Sequence, residues 1–423
     1  MKTTVGGHAT ADYAAAARRI VAELEGMERE RLAFSPADMR GRVHAASLMS
    51  EAGFAVRIDD AFNVLGRREA GAGAEPGAEP PRPILMGGHL DTVSNPGRFD
   101  GPLGLLCGLE CARFIGESGI PLRHPLAVAG FSDEEGTATD CCWGSRALLG
   151  RLSEVERRKL ADKTSPLGAT MVAAAAELGR LGWEVQPARL ATETAASLTP
   201  AAYLELHIHQ GPGLIVADAA VAAVSGIVGI ERFEVVFLGQ AGHPSTVPTS
   251  ARNDAVVRVA EFVQRYWATV AALGPRAIVN FGRIETMPGE LNVVPHTVRV
   301  FIEQRSPDPE VLGDLESKLR ELAAAGGGEV ERLMRVVPVE FDLEVRRLTL
   351  SAAAQAGIEC PELPSWAGHD AEQFATCCPT GMIFVRNIGG VSHSPQELAS
   401  EADIATGLEL LSATLRRVDA ALD

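Results

Sequence analysis

Four short apolar runs in this chain each end in a polar cluster that carries imidazoles or carboxylates. Pro83-Ile84-Leu85-Met86 runs into GGHLDT, Leu126–Phe131 into SDEEG and Tyr203–Ile208 into HQGP, while Met382–Val385 leads to RNIGGVSHSP. Helical segments at 104–117, 145–161 and 370–377 lie between them. Strands alternating with helices predict an α/β fold around a central mixed sheet. Upstream, 13–33 and 36–52 are expected as helices, the second opened by Ser35-Pro36, and 54–67 alternates like a strand. The Gly/Pro/Ala-rich segment 71–82 is expected as an exposed loop.

The middle of the chain has a different texture. Strand (230–238), helix (251–271), strand (277–285), strand (292–304), helix (308–324) and strand (329–339) follow in order. This β-α-β-β-α-β order predicts a ferredoxin-like unit over 213–336, inserted into a larger domain formed by 1–212 and 337–423. Such a unit leaves an edge strand and a helical face suited to pairing with a second copy. A length of 423 residues fits that division, being too great for one ordinary core.

Charge narrows the partners. Lys plus Arg number 39 and Asp plus Glu 55, so 39 − 55 gives −16, and a nucleic acid would meet net repulsion. No stretch approaches the ~20 apolar residues of a membrane span. The first twenty residues lack the apolar core of a signal peptide, so a cytoplasmic protein is expected. Seven cysteines without a CxxC argue against a disulfide framework or zinc knuckle, and all seven are expected as buried thiols.

Ligands of open α/β sheets bind beyond the carboxyl ends of the strands. His89, Asp91, Asp100, Glu134, Glu135, His207 and His393 follow apolar runs in four separate segments. Singly each is ordinary, because DEE triplets are usually solvated and Asp-Gly usually turns. Together they make the imidazole and carboxylate set of a divalent-metal site. If His89, Asp100, Glu135, His207 and His393 coordinate and Asp100 bridges, two metals receive three ligands each and keep room for water. Asp91 is placed to accept a hydrogen bond from the second nitrogen of His89. Glu134 and Glu135 point opposite ways in extended chain, so one ligates and the other can face the water as general base.

A second set lies in the insertion. His243 sits on the Gly-rich turn QAGHPST and can polarise a carbonyl, while Arg305 ends a strand and can grip a carboxylate. Asn292 in LNVVP could equally be a turn former, and Arg305 a surface ion pair. His369-Asp370 either lines the pocket or places Asp370 as an N-cap, and the cap is favoured. His8, His44, His124 and His296 are expected as structural or exposed.

The segments GGHLDT…GRFDGPLG, FSDEEGT…GSRALLG, LELHIHQGP, GQAGHPSTVP, LNVVP, AGHDAEQ and PTGMIFV…GGVSHSP run in one order over most of the chain. In that order they resemble the amidase/carbamoylase branch of the dinuclear aminoacylase-type metallohydrolases. N-carbamoyl-L-amino-acid hydrolases, allantoate amidohydrolases, ureidoglycolate amidohydrolases and β-ureidopropionases make up that branch. The resemblance implies two divalent ions per subunit, zinc or else manganese or cobalt, held by His89, Asp100, Glu135, His207 and His393. It implies Glu134 as base and Gln210, Asn292 and Arg305 as substrate contacts. It also implies a homodimer in which His243 serves the partner's site, with the insertion as dimerisation and lid domain. The expected reaction is hydrolysis of the ureido bond of a small carboxylate; the rival is a dipeptidase or N-acyl-amino-acid hydrolase. A non-catalytic binding protein would have lost part of this set. One departure stands out: His209 replaces the glutamate the family usually has.

Overall fold

Parallel ladders need cover on both faces, which is why the continuous apolar runs become the buried centre of a sheet. The structure is a computed structural model describing residues 12–69, 81–192, 196 and 198–422, and the expected loop at 71–82 falls almost wholly outside the described residues. The chain divides into two units. One takes the chain up to Ser225, Phe341–Leu363 and the chain from Ala367 onward, and the other takes Gly226–Glu340 with Pro364–Trp366.

Strands β1 (Ala55–Ile58), β2 (Val64–Arg68), β3 (Ile84–His89), β4 (Leu126–Phe131), β5 (Ala202–Ile208) and β6 (Val221–Ile227) come first. The smaller unit holds β7 (Gly229–Leu238), β8 (Ile278–Met287), β9 (Thr297–Ser306), β10 (Gly328–Val336) and β11 (Val339–Glu340). The chain then forms β12 (Glu362–Ser365) and β13 (Thr380–Val385).

In the larger unit β4, β3, β5 and β13 lie side by side in parallel, every residue buried. From β3 the chain crosses to β4 on one side and reaches β5 on the other. The order therefore reverses beside β3 and opens a crevice at the carboxyl ends. Helices Pro102–Ser118 and Glu401–Ala421 pack on β5, and Pro36–Glu51 packs on β1 and β2. No helix among the described residues is long and apolar enough to cross a membrane.

Local chemistry moves several expected boundaries. The strand expected over 54–67 is an antiparallel hairpin of β1 and β2, because the Asp59 carboxylate accepts from Ala61 N and Asn63 N and closes a turn. The helix expected over 145–161 is two, Trp143–Leu148 and Glu154–Ala161. Gly150 turns at φ +69° between them, and Ser153 with Glu156 builds a capping box that starts the second. The first helix stops at Gly26, where Met27 is already extended. Residues 213–225 lie with the larger unit, because Val221–Ala223 of β6 pair with β13. Cys141 and Cys377 are exposed rather than buried, since both sit in turns flanking short helices.

The smaller unit is an antiparallel sheet in the order β10-β7-β9-β8, with helices Ala255–Ala271 and Pro309–Ala325, the ferredoxin-like arrangement. Phe233, Val235, Phe237, Val298, Val300 and Ile302 recur at period two and pack against Phe262, Tyr266, Leu315 and Leu319.

One close approach fixes the larger unit. A Cβ on Gly104 would lie 2.6 Å from the carbonyl oxygens of both Gly87 and Leu206, so the first turn of Pro102–Ser118 rests on the backbones of β3 and β5. Gly104→Ala is expected to cost about 1–3 kcal/mol by overpacking. A lowered thermal midpoint checks this, and an unchanged one refutes the contact.

Candidate active site

β3 ends on His89, β4 leads into Ser132-Asp133-Glu134-Glu135, β5 carries His207, and the segment after β13 reaches His393. Asp100 comes from the turn before helix Pro102–Ser118. That turn needs Gly101, which has φ +88° and would place a Cβ 2.5 Å from the His89 ring.

Asp100 divides its two oxygens. Oδ1 lies 3.5 Å from His89 Nε2 and 3.4 Å from His207 Nε2, while Oδ2 lies 3.7 Å from His393 Nε2. Glu135 Oε2 is 3.3 Å from the same His393 nitrogen. Two trios, His89–Asp100–His207 and Asp100–Glu135–His393, thus share one carboxylate, and the ligand-type atoms of each trio lie within 4.8 Å of one another. Glu134 Oε2 lies 3.7 Å from His89 Nε2.

The far ring nitrogens are already committed. His89 Nδ1 bonds the Asp91 carbonyl at 3.0 Å, and His207 Nδ1 the Ile208 carbonyl at 2.8 Å. Each Nε2 is thereby aimed at Asp100. Asp100 Oδ1, His207 Nε2 and Glu135 Oε1 are buried without a hydrogen-bond partner. Such orphans cost about 1–3 kcal/mol apiece, and a divalent cation in each trio would satisfy all three. The donor set therefore fits a metal.

Electrostatics says the same. Among the described residues the ion pairs of Asp100, Glu134 and Glu135 are all with histidines. Burial, with Glu135, Asp370 and Asp91 nearby, holds the Glu134 pKa well above its ordinary value. Burial opposes a charged His89, yet Glu134, Asp100 and Asp91 raise its pKa well above normal. Carboxylates so crowded call for added positive charge.

Asp91 acts differently from expectation. Its backbone carbonyl, not its carboxylate, takes the His89 hydrogen bond, and the carboxylate oxygen stands 3.9 Å away. The carboxylate instead accepts from the backbone N–H groups of Glu134 and Glu135, each at 3.2 Å. Asp370 gives no side-chain cap to its helix, against expectation; it is buried and accepts from Ser145 Oγ at 2.5 Å. Gln210 Nε2 donates to Asp100 Oδ2 at 3.1 Å and lies 3.5 Å from His393 Nε2.

The sequence reading weighed His369 as a pocket residue and missed Glu205 and Glu397. The His369 ring lies 4.4 Å from that of His207, with Nδ1 3.9 Å from Glu134 Oε1. Glu205 joins both histidines in a third ligand-capable group, and Glu397 is buried against Gly97. Glu205 carried a signal, since it alternates with His207 and His209 along one strand. His209 packs on Phe384 at 4.9 Å, and burial pushes its pKa down to about 4, so it stays neutral.

Within the smaller unit an isolated bridge between Gly242 and Val294 joins the His243 and Asn292 turns. His243 is exposed, its Nδ1 accepting from Ser245 N at 3.1 Å, and Asn292 is exposed as well. Arg305 lays its fork on Glu303 at 2.8 and 2.7 Å and donates to the Trp366 carbonyl at 2.5 Å.

The family model described as Peptidase family M20/M25/M40 matches residues 85–417. The chain belongs to this family. An N-carbamoyl-L-amino acid amidohydrolase of Geobacillus stearothermophilus is 35% identical over 392 residues, 91% of this chain and 92% of its own length. An allantoate deiminase of Arabidopsis thaliana is 30% identical, covering 90% of this chain and 77% of that protein. The crystal structure of a hydantoinase/carbamoylase family amidase from Burkholderia multivorans superimposes with a TM-score of 0.83 at 27% identity, covering 96% and 98% of the two chains.

In this M20/M25/M40 member Asp91 holds the Glu134-Glu135 turn by its backbone. Asp91→Ala is expected to weaken divalent-cation binding by about 10–100-fold, the usual cost of losing an outer-shell partner. Calorimetric titration with zinc or manganese measures it. Undiminished affinity would show that the turn keeps its place without the carboxylate.

Proposed function

We propose that this chain is a dinuclear metalloamidase that hydrolyses the ureido C–N bond of a small carboxylate, an N-carbamoyl-L-amino acid or allantoate. The observation that carries the reading is Asp100, one carboxylate shared between two trios, with Glu134 beside it. The named activities of the relatives at 35% and 30% identity support the substrate class. His89, Asp100 and His207 would hold one divalent ion, and Asp100, Glu135 and His393 the other, as zinc, manganese or cobalt. Such a pair, when bound, supplies an activated water and a Lewis acid for the carbonyl.

Glu134 is the proton carrier. It accepts a proton from the attacking water and returns it to the departing nitrogen. Burial and the neighbouring carboxylates raise its pKa, and positive charge beside it would lower it again, leaving an anion ready to accept. A terminal carbamoyl group would yield ammonia, carbon dioxide and an amino acid. Gln210, Asn292 and Arg305 would bind the substrate, with Arg305 exchanging Glu303 for the substrate carboxylate. His243 would polarise the scissile carbonyl in the site of a second subunit, so that a cytoplasmic homodimer is the active form.

A panel of carbamoyl-amino acids, allantoate, acyl-amino acids and dipeptides tests the substrate class. Ammonia release from the ureido compounds alone supports it, and faster cleavage of dipeptides would overturn it. Glu134→Gln is expected to abolish turnover while both ions stay bound, because the amide cannot accept the proton. Metal analysis showing a lost ion would instead make Glu134 a ligand.

Subunit mixing tests the role of His243. Glu134→Gln and His243→Ala homodimers are each inactive in this scheme. In a mixed dimer one site carries both defects, and the other draws a native Glu134 and a native His243 from different chains. Random exchange of equal amounts should restore about a quarter of wild-type activity. Demonstrated exchange with no recovery would confine His243 to its own subunit.

A further inference from the structure

The turn that carries Glu134 and Glu135 is stitched to the segment that opens helix Trp143–Leu148. Cys142 N donates to the Glu134 carbonyl at 3.1 Å, Trp143 N to that of Asp133 at 3.2 Å, and Gly144 N to that of Ser132 at 2.8 Å. Between the two edges of this ladder the chain loops through 135–141. The Asp133 carboxylate ties the loop by accepting from Thr137 N at 2.8 Å and Thr139 N at 2.7 Å.

At the end of the loop stand two adjacent cysteines. Cys141 is exposed, Cys142 lies directly behind it and is buried, and neither is in a disulfide. Arg146 clamps the backbone of this corner through the carbonyls of Cys141 and Asp140, both at 3.0 Å. Cys142 takes the left-handed conformation at φ +59°, which a non-glycine residue holds only under constraint.

We infer that Cys141 and Cys142 are a modification site, a vicinal dithiol that a small peroxide oxidises to a disulfide, and that closing it releases Glu134. The thiols are unequal in the way this chemistry needs. The hydrogen bond from Cys142 brings the Cys141 pKa down to about 7, helped by Arg146 and opposed by burial, Glu372 and Asp140. The same bond raises that of Cys142, as do burial, Asp370 and Glu134. Cys141 is thus the accessible thiolate and Cys142 the buried resolving thiol. In the other adjacent pair, Cys377 and Cys378, burial raises the Cys378 pKa to about 12.

The step balances. The Cys141 thiolate attacks one peroxide oxygen, the O–O bond breaks, and a sulfenic acid and hydroxide result. The Cys142 sulfur then attacks that sulfur, the S–S bond forms, and the second oxygen leaves as water. Two thiols are oxidised, and the peroxide is reduced to two waters that carry off the thiol protons. The eight-membered ring so closed resets the peptide between the cysteines, whose N–H is the one aimed at the Glu134 carbonyl. The fall in turnover rests on Glu134 being the base, as proposed above; the modification does not.

The test treats the full-length chain with hydrogen peroxide and follows two readouts, the mass of the peptide holding 141–142 and ammonia release from a ureido substrate. The peptide should lose two hydrogens while turnover falls about tenfold to a hundredfold, the scale of misplacing a base by about an ångström. Dithiothreitol should reverse both. Cys141→Ser should keep normal turnover and resist peroxide, whereas Cys377→Ser should respond like the native chain. Retention of both thiols at 141–142 while other cysteines oxidise would overturn the site. A disulfide formed without loss of turnover would overturn the link to Glu134, and equal inactivation of Cys141→Ser would do the same. If the untreated chain cleaves no ureido compound, the peptide mass alone still decides the modification.

Discussion

Everything in the larger unit converges on one buried carboxylate set among three imidazoles. Asp100 can stand there only because its neighbours are small. Gly101 carries the turn under the His89 ring, a Cβ on Gly88 would lie 2.9 Å from the Gly101 carbonyl oxygen, and Gly104 meets two strand backbones. Any side chain at these points would push the Asp100 turn away from β3. The imidazoles oppose burial and pull the Asp100 pKa below the ordinary carboxylate range, through His89 first and then His207 and His393. That balance still leaves buried polar atoms unpaired. A cation held there would supply their missing partner, and its affinity would then be part of the free energy of this fold.

The rest of the site is positioned through backbone as much as through side chains. His89 and His207 are oriented by carbonyls, the Glu134-Glu135 turn is capped by Asp91 and stitched to 142–144, and Glu205 accepts from Tyr203 Oη at 2.8 Å and Ala371 N at 3.2 Å. Backbone partners survive most substitutions of the residues that donate them. A site built this way holds its geometry while the surrounding side chains drift.

What was legible in the chain follows from range. Strand ends are local features, so apolar runs closing on GGHLDT or SDEEG placed His89, Glu134 and Glu135 at the sheet's carboxyl edge without any knowledge of packing. The ferredoxin-like order was equally local, each strand and helix carrying its own periodicity. His369 was legible as a pocket candidate, but its partner was not, since His207 stands further away in sequence than the whole length of the smaller unit. Asp91 failed for a different reason. It stands two positions past His89 in sequence, but the strand ends there, and the next turn gives the imidazole its carbonyl while the carboxylate faces β4's continuation. Glu205 was legible in principle, because alternation along β5 places it on the side of His207.

The two units divide the labour by burial. In the larger one the clustered imidazoles and carboxylates lie inside a packed sheet edge, where replacing one leaves a charge or donor unpaired at a cost of several kcal/mol. In the smaller one His243 and Asn292 sit on exposed turns joined by a single bridge, where most substitutions shift stability by no more than about 0.5 kcal/mol. Residues on such turns can change without endangering the fold, whereas the Asp100 cluster cannot. Among relatives that span most of this chain at 35% and 30% identity, one is named for N-carbamoyl-L-amino acids and another for allantoate. If the proposed roles hold, a costly, buried cluster paired with cheap, exposed turns would let substrate choice diverge while the chemistry stays the same.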